Sequence, residues 1–138
     1  MPMDITTVDD TLAVKEGFSD LKEVVVLDTM RARLKAIKAA DPTTPSIDYA
    51  LGNLSFDLVE SLDTLGLVDE FGDYPKPREE GGESNMNEML LGLRALAPYL
   101  EDGTHFTFVR ESGFGTVTWQ VSGGDVVAYE GVAKAWVK

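Results

Sequence analysis

Apolar residues recur every three or four positions between 47 and 65, at Ile47, Leu51, Leu54, Leu58, Leu62 and Leu65. That spacing keeps one stripe of a helix apolar, so a five-turn amphipathic helix is expected from a cap at Ser46 to Gly66, which suits a helix end. Gly52 weakens its middle slightly. An earlier stripe, Leu27, Met30, Leu34 and Ile37, has the same period. It predicts a helix from an N-cap at Ser19 to Asp41, where Pro42 disfavours helical geometry in the residue before it. Within it, the β-branched run Val24, Val25, Val26 also suits a buried strand, and periodicity leaves residues 23–27 open to either assignment.

A third helical stretch runs through "MNEMLLGLRALAPYL", with Met86, Leu90, Leu93, Leu96 or Ala97, and Leu100 on one side. Asn85 and Glu88 have the spacing of a capping box, and Pro98 makes an irregular last turn. The period then changes. "THFTFVRE", "TVTWQVS" and "DVVAYEG" are rich in β-branched and aromatic residues, and Val117, Trp119 and Val121 alternate with polar neighbours. One face of that strand is expected to be buried. Gly123-Gly124 suits a two-residue hairpin turn with positive φ at both positions. "AKAWV" is a candidate fourth strand.

Residues 1–17 carry no strong period; "TLAVKEG" reads as a short edge strand and the rest as a mobile N-terminus. Residues 69–84, with two prolines and three glycines, read as an acidic exposed loop or mobile linker. The expected architecture is therefore α+β, a single domain over residues 1–138 with about three helices packed on a three- to four-stranded antiparallel C-terminal β-meander.

Composition narrows the chemistry. The 138 residues include no cysteine, which excludes disulfides, thiolate metal sites and thiol catalysis. The acidic start and the lack of a long apolar run point to a cytoplasmic protein without a membrane span. A formal net charge of −12 repels phosphate backbones and anionic membranes and favours a basic protein partner over direct nucleic-acid binding.

The charge is uneven. Residues 21–40 carry +3, whereas residues 41–83 carry −9, and no basic residue occurs from 54 to 74. Asp57, Glu60, Asp63, Asp69, Glu70 and Asp73 all lie in that acidic stretch. On a single helix the first three point away from the leucines and into water, so the plainest account is a hydrated outer face. The next is a partner-binding face, which would attract a lysine- or arginine-rich groove and speed encounter. Catalysis or metal binding comes last. Paired catalytic carboxylates need environments that split their pKa values, and the stretch lacks the alternating oxygen ligands and glycine of a calcium loop. Duplex DNA carries a charge about every 1.7 Å, denser than this segment, so local blocking of one basic site is expected rather than mimicry of a whole duplex.

Other candidates are weaker. His105, the only histidine, follows Glu101 and Asp102 and would be the acid/base group of a small hydrolase-like enzyme. No serine beside it forms a nucleophile motif. Arg31, Lys35 and Lys38 share a helix stripe and suit either phosphate contacts or pairing with the chain's own acids. Phe106, Phe108, Trp119, Tyr129 and Trp136 suit a core better than a base-stacking face, since the chain is acidic and Arg110 is the one arginine that interleaves them. The glycines match no nucleotide-binding motif, and no cofactor is implied. The expectation is thus a non-enzymatic inhibitor or adaptor of a basic, nucleic-acid-handling protein, of the kind phages or mobile elements encode. A homo-oligomeric module joined through a sheet edge or aromatic face is the alternative from a different class.

Overall fold

The computed structural model describes residues 6–10, 13–68, 71–77, 83–109 and 116–131. In order they form strand β1 (Thr6–Asp10), helices α1 (Glu23–Ala40), α2 (Ile47–Gly52), α3 (Leu58–Thr64) and α4 (Glu83–Leu96), and strands β2 (His105–Val109), β3 (Thr116–Ser122) and β4 (Asp125–Gly131). Short 3₁₀ turns lie at Phe18–Asp20 and Ala97–Tyr99. The fold is α+β: helices followed by an antiparallel meander.

The Val24–Val26 run is helical. Helix α1 starts at Glu23, after Lys22 rather than Ser19, and buries Val26, Leu27, Met30 and Leu34 while Val24 and Val25 face out. Ser19 instead belongs to the preceding 3₁₀ turn.

The predicted five-turn helix is two helices. Chain from Asn53 to Asp57 separates α2 from α3, yet Ile47, Leu58, Leu62 and Leu65 are all buried. Ser46 flanks α2 but does not cap it; its backbone is left-handed (φ 65°) and its hydroxyl makes no cap bond. Gly66 does end α3. At φ +80° it closes a Schellman motif, in which Gly66 N–H donates to Asp63 O and Leu67 N–H to Leu62 O at 2.8 Å. Leu62 and Leu67, the pair such a motif brings together, are both fully buried.

Helix α4 begins at Glu83, so Asn85 lies inside it rather than capping it. Met86, Met89, Leu91, Leu93, Ala95 and Leu96 are buried, more than one stripe, because α4 packs against α1, α2 and β4. Pro98 falls in the 3₁₀ turn that ends the helical stretch. The segment between α3 and α4 is tied down where it is described: Lys76 N–H donates to Leu67 O at 2.8 Å, and Pro75 and Pro77 are buried.

The four strands are ordered β1-β2-β3-β4, all antiparallel. The extra strand comes from Thr6–Asp10, ahead of the "TLAVKEG" stretch expected to supply an edge; within that stretch Val14 makes only an isolated bridge to Leu100. "AKAWV" lies outside the described residues. Gly123 and Gly124 have φ of 60° and 79°, the twin positive values of a tight hairpin. Phe106, Trp119, Val121 and Val126 join the helical core, while Thr107 and Thr118, on the other side of the sheet, share a 2.9 Å hydroxyl–hydroxyl hydrogen bond.

Candidate functional site

The break between α2 and α3 is a hydrogen-bonded turn built on Ser61. This serine is fully buried, and its hydroxyl donates to Asp57 O at 2.9 Å while accepting from Ser55 N–H at 2.8 Å. The Ser55 hydroxyl in turn accepts from Asp57 N–H at 3.1 Å. Asp57 is the N-cap of α3, its carboxylate accepting from Glu60 N–H at 2.9 Å. A sequence signal for this existed: Asp57 and Glu60 have capping spacing, and serine readily bonds local backbone.

The turn places Asp57, Glu60 and Asp63 on exposed ground along one short helix. Glu60 and Asp63 project from α3, whereas Asp57 sits at its start with one oxygen engaged by the backbone. Asp73 is also exposed, in the segment after α3. Asp69 and Glu70 lie outside the described residues. Among the described residues, no group of three or more His, Asp or Glu side chains is placed to hold a metal ion.

The same stretch carries apolar groups to which the leucine pattern assigned no role. Phe56, inside the serine turn, is 98% exposed, and Phe71 is 81% exposed. Val59, between the acids of α3, is 37% exposed. A phenylalanine just before an N-cap ordinarily packs on the side chain four positions into the helix, a hydrophobic staple. Here that position is Ser61, small and committed to the turn, so the ring has no staple partner. Phe56 before an N-cap aspartate, with serine at the staple position, is the pattern that would have revealed it.

His105 opens β2, half-buried and opposite Gln120. Of its two neighbouring acids, Asp102 accepts a hydrogen bond from Gly123 N–H at 3.0 Å and so anchors the β3–β4 hairpin. Glu101 ties the turn through its backbone, donating to Ala13 O and accepting from the Thr104 hydroxyl.

The basic stripe of α1 is largely engaged within the chain. Lys38 meets Asp48 at 2.7 Å and Arg31 meets Asp28 at 3.5 Å. Of the sheet aromatics, Phe106 and Trp119 are buried and Tyr129 is half exposed. Trp136 lies outside the described residues, as does the Phe108 side chain. No described helix is long and apolar enough to cross a membrane.

No family model matches the chain, and neither a curated protein nor a solved structure does so.

Proposed function

We propose that the protein is a non-enzymatic inhibitor or adaptor that binds a basic protein through the surface of α3. The observation that carries this reading is the side-by-side exposure of Asp57, Glu60 and Asp63 on a short helix with no basic residue from 54 to 74. The three carboxylates are carried by the backbone of a capped, core-packed helix, so a complementary lysine- or arginine-rich surface meets them without first ordering that backbone. Favourable long-range attraction would raise the encounter rate and reject polyanions. A nucleic-acid-handling protein offers such a basic surface, and its blockade by a small acidic protein suits phages and mobile elements.

The test removes charge but not structure. Asp57→Asn retains a carbonyl oxygen for the Glu60 amide, so it can be combined with Glu60→Gln and Asp63→Asn while the cap persists. Affinity for the basic partner recovered from host lysate should fall at least about tenfold in the triple variant, with an unchanged unfolding midpoint. It should also weaken steeply as salt rises. Affinity indifferent to ionic strength, or unaffected by the triple substitution, would overturn the proposal.

A second reading, a homo-oligomer joined through the sheet edge, is favoured by Val127 and Tyr129. Both are 40% exposed or more on β4, which stands at one end of the strand order among the described residues. Sedimentation separates the two: a concentration-dependent dimer lost on Val127→Lys supports the second reading, and a monomer at all concentrations removes it.

A further inference from the structure

We infer that Phe56 is an aromatic anchor, and that the partner surface is an apolar patch bordered by lysine or arginine side chains rather than a uniformly basic one. This inference rests on the reading of α3 as the face for a basic protein and deepens it by naming the contact that would dominate.

Three observations converge. Phe56 leaves 98% of its surface in water, so its ring contributes almost nothing to the core, although Ile47 and Ala50 of α2 and Leu58 and Leu62 of α3 are buried on either side of it in sequence. The usual structural employment for a phenylalanine at this position, the staple, is denied by Ser61. The ring is nevertheless not on a loose tip. Its two neighbours are fixed by the bonds from Ser55 N–H to Ser61 Oγ, Ser61 Oγ to Asp57 O and Asp57 N–H to Ser55 Oγ, at 2.8 to 3.1 Å. A backbone held in place before binding loses little freedom on binding, which is the condition for a single aromatic side chain to act as a hot spot.

Charge selects the occupant. Asp57 follows the ring directly, Glu60 lies one helical turn on, and the nearest basic residue after the ring in sequence is Lys76. A lipid surface with anionic headgroups or a nucleic acid would bring negative charge against these carboxylates. A second copy of this acidic chain would bring its own net charge of −12. A cationic rim around an apolar patch satisfies both the ring and the acids, and a lysine or arginine at its edge can also rest on the ring face. Val59, 37% exposed between Asp57 and Glu60 on α3, adds a second apolar side chain to the same segment.

The test uses two synthetic helical peptides of equal length and charge, one of leucine and lysine with an apolar stripe, the other with serine in place of leucine. Wild-type protein should bind the leucine–lysine peptide at least about tenfold more tightly, the range of a modest hot spot. Phe56→Ala should erase that preference while leaving affinity for the serine–lysine peptide and the unfolding midpoint unchanged. Phe56→Leu should restore part of it, because an apolar side chain is kept on the same turn. Equal affinity of the wild type for the two peptides, or a preference that survives Phe56→Ala, overturns the anchor and leaves the charge reading standing. Failure of the wild type to bind either peptide overturns the charge reading and the anchor with it. Phe56-dependent self-association in sedimentation, or Phe56-dependent binding to neutral phosphatidylcholine vesicles, would assign the ring to another occupant and overturn the inference.

Discussion

Arg94 grips Asp125 fork to fork: its Nε donates to one carboxylate oxygen at 3.0 Å and a terminal nitrogen to the other at 3.2 Å. Arg33 joins from α1, lying 3.4 Å from the same carboxylate and donating through Nε to Arg94 O at 2.8 Å. One acid thus connects α1 and α4 to the start of β4. Two parallel charge-assisted bonds fix direction as well as distance.

Substituting Asp125→Asn should therefore destabilise the protein by about 1–2 kcal/mol, the value of a charged hydrogen bond reduced for a partly hydrated site. Burial pushes the Asp125 carboxyl up, but the Arg94 hydrogen bond, the Val126 amide and the charges of Arg94 and Arg33 outweigh it, leaving it below its ordinary 3.8. A carboxyl lowered in the fold contributes its stability above the unfolded value and loses it as pH falls through the folded one. The gap between wild type and Asp125→Asn, read from urea unfolding, should be constant near neutrality and close as pH drops below 3.8.

Glu88 should behave in the opposite sense. Burial on α4 raises its carboxyl above 4.5, so the folded protein binds its proton more readily than the unfolded chain does. Its ionised form is a small burden that is present at neutral pH and is relieved as pH falls toward 4.5. Glu88→Gln should raise the neutral-pH unfolding midpoint, and the advantage should vanish in acid.

Gly92→Ala reverses the usual rule for helix interiors. Alanine in place of glycine ordinarily stabilises a helix by about 1 kcal/mol. A Cβ at 92, however, would stand 2.5 Å from Leu67 Cδ1 and 3.4 Å from Leu67 Cγ and Leu65 Cδ1, and both leucines are fully buried, so the packing must shift to admit it. Thermal unfolding should show a net loss of about 1–3 kcal/mol. Combining the change with Leu67→Val, which removes the obstructing methyl, should cost less than the sum of the two single changes.

Ser61→Ala should cost about 1–3 kcal/mol, because it strands the Ser55 amide without its acceptor. It should also loosen the turn that carries Phe56. Amide hydrogen exchange at Ser55 and Asp57 should accelerate more than exchange in α1, and equal protection in the wild type and Ser61→Ala would show that the turn is held by other means.

Local features of the chain were readable because each follows from a few neighbouring residues. Leu27, Met30 and Leu34 marked the buried side of α1, and Gly123-Gly124 marked the hairpin. The helix over 46–65 misled for a physical reason. Two short helices that each send apolar side chains into one core keep nearly the same spacing as one long helix, and only the polar residues Asn53, Ser55 and Asp57 betray the join. The acids of α3 were visible as charge, but the exposure of Phe56 depends on which side chain occupies the staple position, so leucine periodicity alone passed it over. The pairing of Thr6–Asp10 with His105–Val109 was beyond reach, since nothing local in either segment names its partner. The same holds for the burial of Leu67 and of the prolines at 75 and 77, which no local period marks.

That remote pairing has a consequence for how the molecule assembles. During synthesis β1 leaves the ribosome well before its hydrogen-bonding neighbour at residues 105–109, because α1 to α4 lie between them in the chain. Strand β1 must wait for the meander before it can be seated.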